Sequence, residues 1–215
     1  MTAEDRFWDA QQGRLHARVL GRRGPAVILI HGVHPANTWR VWQHNLETVA
    51  QAGCRAYALD LIGYGESERP AERPGHEAQA QAILEMMDQE GLDDATLVGV
   101  SWGGTIALAL ALAAPQRVAA LMLVASGSRF SRDELAAIRC PTLVVWGEDD
   151  IVIPVESGYR LAAAIPGARL ETIADATEAP DAPPWAGHQP MRFRPEAFNP
   201  ILYGFLKQAL PCRAE

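Results

Sequence analysis

The stretch Ala95-Thr96-Leu97-Val98-Gly99-Val100-Ser101-Trp102-Gly103-Gly104, running on through Ile106–Ala114, decides the fold class of this chain. Residues 95–100 form a short apolar run of the kind buried on both faces of a sheet. Residues 102–114 read as an Ala/Leu helix, which Pro115 closes. Only Ser101 separates strand from helix, inside the pattern Gly99-x-Ser101-x-Gly103. So abrupt a reversal needs strained backbone at the serine and small residues beside it, and it leaves the hydroxyl pointing out of the turn. The plainer alternative is a tight turn whose serine caps the helix.

Strands and helices alternate outward from this unit. Residues 15–20 and 26–31 read as strands around the turn Gly21–Pro25, followed by a helix over 41–52 that stops at Gly53. A strand at 55–61, a Gly- and Pro-rich stretch from Gly63 to Gly75 and a helix over 76–90 precede the central unit. Beyond it come strand 118–125, a short helix near 131–137, strand 141–146, helix 155–165, strand 168–174 and helix 195–209. This alternation predicts a single α/β domain over 1–215, a mostly parallel sheet with helices on both faces. Strand 15–20 is either part of that set or an antiparallel edge. Ligands of such sheets bind beyond the carboxyl ends of the strands, so chemistry is sought in those loops.

Composition narrows the function. Lys and Arg total 19 against 26 Asp and Glu, a formal charge of −7, which offers no positive field for nucleic acid. With 48% hydrophobic and 21% charged residues the chain has the balance of a globular protein. Its longest apolar run, Ile106–Ala114, falls far short of the roughly 18 residues that cross a bilayer. The first residues, MTAEDRFWDA, show no secretory signal. Cys54, Cys140 and Cys212 are scattered without metal or disulfide spacing, which favours a reducing cytoplasm. No phosphate loop, dinucleotide fingerprint or metal cluster is present, so no cofactor is expected. Oligomeric state is not encoded legibly.

A serine hydroxyl is a poor nucleophile unless a base takes its proton and a third group orients that base. After strand 141–146 comes Gly147-Glu148-Asp149-Asp150, and before the last helix comes Gly187-His188-Gln189-Pro190. Ser101, Asp150 and His188 then form a nucleophile, acid and base in that chain order. A developing oxyanion needs two preorganised N–H donors. Trp102, after the serine, supplies one by position, and Val33, after His31-Gly32, supplies the other. His31 is expected to order that loop rather than to transfer protons.

The segments LIHG (29–32), ALDLIGYGES (58–67), GVSWGG (99–104), PTLVVWGEDDIVIP (141–154) and GHQPMRFRPEAFNPILYGFL (187–206) together resemble the α/β-hydrolase superfamily across nearly the whole chain. The resemblance implies a Ser101–Asp150–His188 triad, with the acid three residues past the strand-end glycine and hence Asp150 rather than Asp149. It also assigns the oxyanion donors to Val33 and Trp102. Serine at 101 argues against the haloalkane-dehalogenase and epoxide-hydrolase branches, whose nucleophile is a carboxylate. Many relatives insert a long helical cap where this chain has only Ser126–Cys140, so a capless form is expected. The implied activity is cofactor-free hydrolysis of esters, lactones or thioesters of small acyl groups. An acyltransferase, C–C lyase or haloperoxidase on the same scaffold, or a receptor-like binder, is the alternative.

Substrate contacts are assigned to His34, Trp39 and Trp185. Trp39, Trp42 and Asn45 fit an acyl pocket and amphipathic helix packing equally well, and His34 is equally readable as a solvated loop residue. Tyr64 and Ser67 read as turn residues, and Cys140 as a small buried apolar residue. The Pro-rich run Asp175–Ala186 is longer than the usual connection and leads into His188, so it is expected to act as a partial lid. With Asp175, Glu178 and Asp181 it would also bias the entrance against anionic esters.

Overall fold

A computed structural model of the chain describes residues 2–174 and 182–210. Eight strands form one sheet: β1 Glu4–Ala10, β2 Gly13–Leu20, β3 Ala26–Ile30, β4 Arg55–Asp60, β5 Ala95–Val100, β6 Val118–Val124, β7 Thr142–Gly147 and β8 Arg169–Ile173. Their spatial order is β1-β2-β4-β3-β5-β6-β7-β8. The β1–β2 and β2–β4 pairs are antiparallel and all others parallel. The helices are α1 Leu46–Gln51, α2 His76–Gln89, α3 Trp102–Ala113, α4 Arg132–Leu135, α5 Glu156–Ala164, α6 Pro190–Phe193 and α7 Pro195–Ala209.

Every residue of β3, β5 and β7 is buried, as expected for strands covered on both faces. Their side chains alternate between two cores. Ile28, Ile30, Leu97, Leu121, Leu123 and Trp146 pack with α2, α3 and α5 on one face. Val27, Leu29, Val98, Met122, Val124 and Val145 pack with α1 and α7 on the other.

Two expectations are corrected. The strand expected at 15–20 is antiparallel but is not the edge, because β1 covers it. Only Trp8 of β1 is buried, and the strand is otherwise mostly charged and exposed, so its apolar signal is faint. Glu90 on the chain just past α2 holds that indole, accepting Trp8 Nε1–H at 2.9 Å. The helix expected over 41–52 is instead a 3₁₀ turn at Trp39–Trp42 followed by α1. Asn45 sits at the break, its amide donating to Met191 O at 3.1 Å and Asn199 Oδ1 at 2.7 Å. Those bonds across to α6 and α7 fix the chain in a step that local helix propensity does not favour.

Candidate active site

Ser101 occupies the joint between β5 and α3 at φ 57°, ψ −120°, a conformation that costs a non-glycine residue about 1–3 kcal/mol. The frame around it holds that strain. Its N–H donates to Val124 O at 2.9 Å, and its carbonyl accepts from Gly104 N at 3.1 Å. A Cβ on Gly99 would lie 2.4 Å from Gly103 O, and one on Gly103 would lie 2.3 Å from Ile30 O. Only hydrogen fits at either position, which is the physical content of the two glycines. Ser101 is left partly exposed at the carboxyl end of the sheet.

His188 and Asp150 are both buried, and His188 Nδ1 lies 2.8 Å from Asp150 Oδ2. The other carboxylate oxygen is already occupied, accepting the N–H of Val152 at 2.8 Å and of Ile153 at 3.0 Å. An ionised carboxylate only accepts, so Nδ1 carries the proton and Nε2 is the basic nitrogen. The 3₁₀ turn Ala186–His188 reaches the end of β7 because two glycines meet there. A Cβ on Gly147 would fall 2.2 Å from Gly187 O. Ser101 and Asp150 follow strands β5 and β7, on either side of β6.

Two backbone N–H groups of the loops that meet at this joint have no acceptor among the described residues. One belongs to Trp102, the first residue of α3, where the helix N-terminus favours negative charge. The other belongs to Val33, next to Gly32, whose missing Cβ would stand 3.1 Å from Ser101 Cβ. His31 orders this loop, as expected. Its Nε2 accepts Leu61 N–H at 3.0 Å, so Nδ1 bears the proton and donates to Gly32 O at 2.8 Å. A trans peptide points its C=O and N–H in opposite directions, so the Val33 N–H is turned away from His31. Burial lowers the His31 pKa to about 4, against weaker opposing effects of the Gly32 bond and the Asp60 charge. It stays a neutral imidazole.

Asp60, at the end of β4, organises the neighbouring loops and was not singled out in the sequence. Its Oδ1 accepts Trp39 N–H at 2.6 Å, and its Oδ2 accepts Glu66 N–H at 2.9 Å and faces His16 Nδ1 at 2.8 Å. His16 Nε2 lies 3.1 Å from Asp5 Oδ1. Burial disfavours the His16 charge, but the hydrogen bonds and charges of Asp60 and Asp5 outweigh it and raise its pKa. Burial likewise pushes the Asp60 carboxyl up, while His16 and the two backbone N–H groups hold it below the ordinary value.

These two buried histidines tilt stability in opposite directions. His16, raised above 6.5, contributes fully below that pH and loses its contribution as pH climbs through its folded pKa. His31, depressed to about 4, costs stability as pH falls below 6.5. Urea midpoints are therefore expected to fall on both sides of about pH 6.5. In His16→Gln the alkaline decline is expected to flatten while the acid decline remains. An unchanged alkaline slope would mean that His16 is not held charged.

The remaining candidates separate. Trp42 is fully buried, its ring 6.3 Å from Phe198, and Asn45 ties α1 to α7, so packing accounts for both. Trp39 carries the guanidinium groups of Arg18 and Arg40 at 5.8 and 4.8 Å from its ring. His34 is exposed, its Nδ1 accepting Ala36 N–H at 3.2 Å within the loop. Trp185 is 39% exposed and stands edge-on to Phe193 at 5.3 Å. Residues 175–181 of the expected lid lie outside the described residues, so only its last part, Ala182–Ala186, is placed. Ser67 is a turn residue as expected, its hydroxyl bonded to Asp60 O and accepting His16 N–H at 2.8 Å. Tyr64 does more: its hydroxyl reaches across to Val33 O at 2.7 Å. Cys140 is half-buried against the core, close to expectation.

The connection from β6 to β7 holds only the short helix α4, started by a Ser131/Glu134 capping box, with Phe130 edge-on to His76 at 6.0 Å. No cap domain stands there. Among the described residues no helix is long and apolar enough to cross a membrane, and no cluster of three His, Cys, Asp or Glu side chains is placed to hold a metal ion.

Comparisons with known proteins agree with this architecture. A family model described as alpha/beta hydrolase fold matches residues 25–131. A 2-hydroxy-6-oxononadienedioate/2-hydroxy-6-oxononatrienedioate hydrolase of Klebsiella pneumoniae is 24% identical over 289 aligned positions, covering 96% of this chain and 97% of that protein. An alignment longer than the present chain requires extra segments in the relative. The bifunctional epoxide hydrolase 2 of Sus scrofa is 37% identical over 110 residues, which are 50% of this chain and 19% of that protein. The crystal structure of a protein described as a predicted CIB-like hydrolase, from Thermoplasma acidophilum, superposes with a TM-score of 0.85 at 25% identity, covering 97% of this chain and 99% of that one. With its sheet order, its strained serine joint and its uninterrupted β6–β7 connection, the chain belongs to the α/β-hydrolase fold superfamily in a capless form.

Proposed function

We propose that this protein is a serine hydrolase of small carboxylic esters, lactones or thioesters. The observation that carries the reading is the polarity of the His188 ring. Nδ1 is committed to Asp150, which supports Nε2 as the base, and the Trp102 and Val33 N–H groups, unengaged among the described residues, support an oxyanion site at Ser101. Ser101 Oγ attacks the carbonyl carbon as its proton passes to His188 Nε2, and the carbonyl oxygen becomes an oxyanion on the Val33 and Trp102 N–H groups. Collapse expels the alcohol or thiol, which takes the proton from His188. Water, deprotonated by the same nitrogen, then releases the acid. Asp150 keeps the imidazole in this tautomer and balances its charge.

The −7 charge suits a small-molecule acyl substrate rather than nucleic acid, and the scattered cysteines suit a cytoplasmic setting. His34 and Trp185, in the loops that carry Val33 and His188, are the substrate contacts this reading retains. Trp39, loaded with two guanidinium groups, is the weakest of the three.

Turnover of short p-nitrophenyl esters, together with fluorophosphonate labelling at Ser101, is the expected result. Labelling without turnover would favour a receptor, and product partitioning to added alcohol a transferase. A second reading follows from the relative that aligns over nearly the whole chain. The same three residues would then act on a 2-hydroxy-6-oxo dienedioate. Faster turnover of that dioate than of any p-nitrophenyl ester would replace the first reading with the second.

A further inference from the structure

Tyr64 lies in the Gly63-Tyr64-Gly65 turn, far in sequence from Val33, yet it is fully buried and its hydroxyl donates to Val33 O at 2.7 Å. The Tyr64 hydroxyl oxygen in turn accepts from Arg73 Nη1 at 3.0 Å, and the Arg73 guanidinium lies 4.5 Å from the centre of the Tyr64 ring. The ring also meets His31 edge-on at 4.8 Å. Val33 is therefore gripped from both sides. The peptide before it is fixed by His31 on Gly32 O, and the peptide after it by Tyr64 on Val33 O. Fixing both neighbouring peptide planes removes the freedom of φ and ψ at Val33, and with it the freedom of the Val33 N–H direction.

We propose that Tyr64, braced by Arg73, is a positioning residue that aims the Val33 N–H at the developing oxyanion. This role rests on the hydrolase reading above and deepens it. A donor stabilises the transition state only if it is aimed beforehand, since reorientation during reaction uses up the gain. Val33 needs this restraint because it lies in a surface loop and is itself 51% exposed, whereas Trp102 is held by helix α3. Donation from the Arg73 cation into the Tyr64 oxygen polarises the phenol and strengthens its own bond to Val33 O. Burial raises the Tyr64 pKa against the opposing pull of Arg73, so the hydroxyl remains a donor at neutral pH.

Tyr64→Phe tests this, because it keeps the ring contacts with His31 and Arg73 and removes one oxygen. The expected result is a kcat roughly tenfold lower on a p-nitrophenyl ester with KM little changed, a fraction of the roughly 10²–10³ lost when a donor is deleted outright. Affinity for a trifluoromethyl ketone should weaken by a similar factor, since its hemiketal oxyanion on Ser101 uses the same donors. A folded Tyr64→Phe protein with the parent's kcat and ketone affinity would overturn the role. So would a loss confined to KM. Arg73→Gln serves if Tyr64→Phe misfolds, since Arg73 is exposed. It is expected to lower kcat about threefold by weakening the brace alone, and an unchanged kcat overturns the proposal. A parent that neither hydrolyses esters nor binds the ketone would overturn the hydrolase reading and the Tyr64 role together. An active parent with an unaffected Tyr64→Phe would overturn the Tyr64 role alone.

Discussion

Ser101→Ala is expected to lower kcat by about 10⁴–10⁶, and His188→Ala by a comparable factor, while the double variant loses little more than either. The reason is that in the proposed mechanism nucleophile and base perform one event. Without Oγ there is no proton for His188 to accept, and without Nε2 the hydroxyl stays un-ionised at neutral pH. What survives comes from the two N–H donors acting on water attack, and neither substitution removes them. Ser101→Ala should also keep the fold, since it deletes one partly exposed oxygen and leaves the backbone bonds of the joint in place. The strained φ at position 101 is then carried by alanine, as it already is at Ala125, where φ is 43°. Single- and double-variant kcat values on one p-nitrophenyl ester are sufficient. If the two losses multiply, the residues act independently and the triad assignment is wrong.

Features fixed by local chemistry were legible in the sequence, and features fixed by distant partners were not. The joint at Ser101 was readable because a buried strand, two obligatory glycines and an Ala/Leu helix are contiguous. Asp150 and His188 are proposed from strand-end position and chain order, and the bond between them supports that pairing. By contrast, β1 holds its place through Trp8 and Glu90, which are 82 residues apart, and little in its own composition marks a strand. The break before α1 depends on Asn45 bonding to residues near the opposite end of the chain. Asp60 and Tyr64 lay inside a quoted motif, yet their importance arises from Trp39, His16, Val33 and Arg73. A motif shows which residues occur together. It does not show which backbone groups a side chain serves.

Asp150→Asn is expected to lower kcat by about 10⁴, and Asp149→Asn to leave it close to the parent's. The hydrogen bonds around Asp150 supply the argument. Its Oδ1 accepts two backbone N–H groups, from Val152 and Ile153, and only an oxygen satisfies both. In the Asp150→Asn variant the carbonyl oxygen of the new amide must therefore occupy that position. The amide NH₂ is then forced into the place of Oδ2, 2.8 Å from His188 Nδ1. A donor now faces Nδ1, so the imidazole moves its proton to Nε2 and presents N–H instead of a lone pair to the serine. The variant should fold normally, because the cap on Val152 and Ile153 is preserved, and its loss should appear in kcat rather than in the urea midpoint. Asp149 lies against Gly187, where a Cβ would come within 2.4 Å of its Oδ1, while the His188 ring is bonded to Asp150. Its replacement leaves the tautomer alone. The reverse ranking, with Asp149→Asn the damaging change, would move the acid by one position and remove the basis for assigning Nε2 as the base.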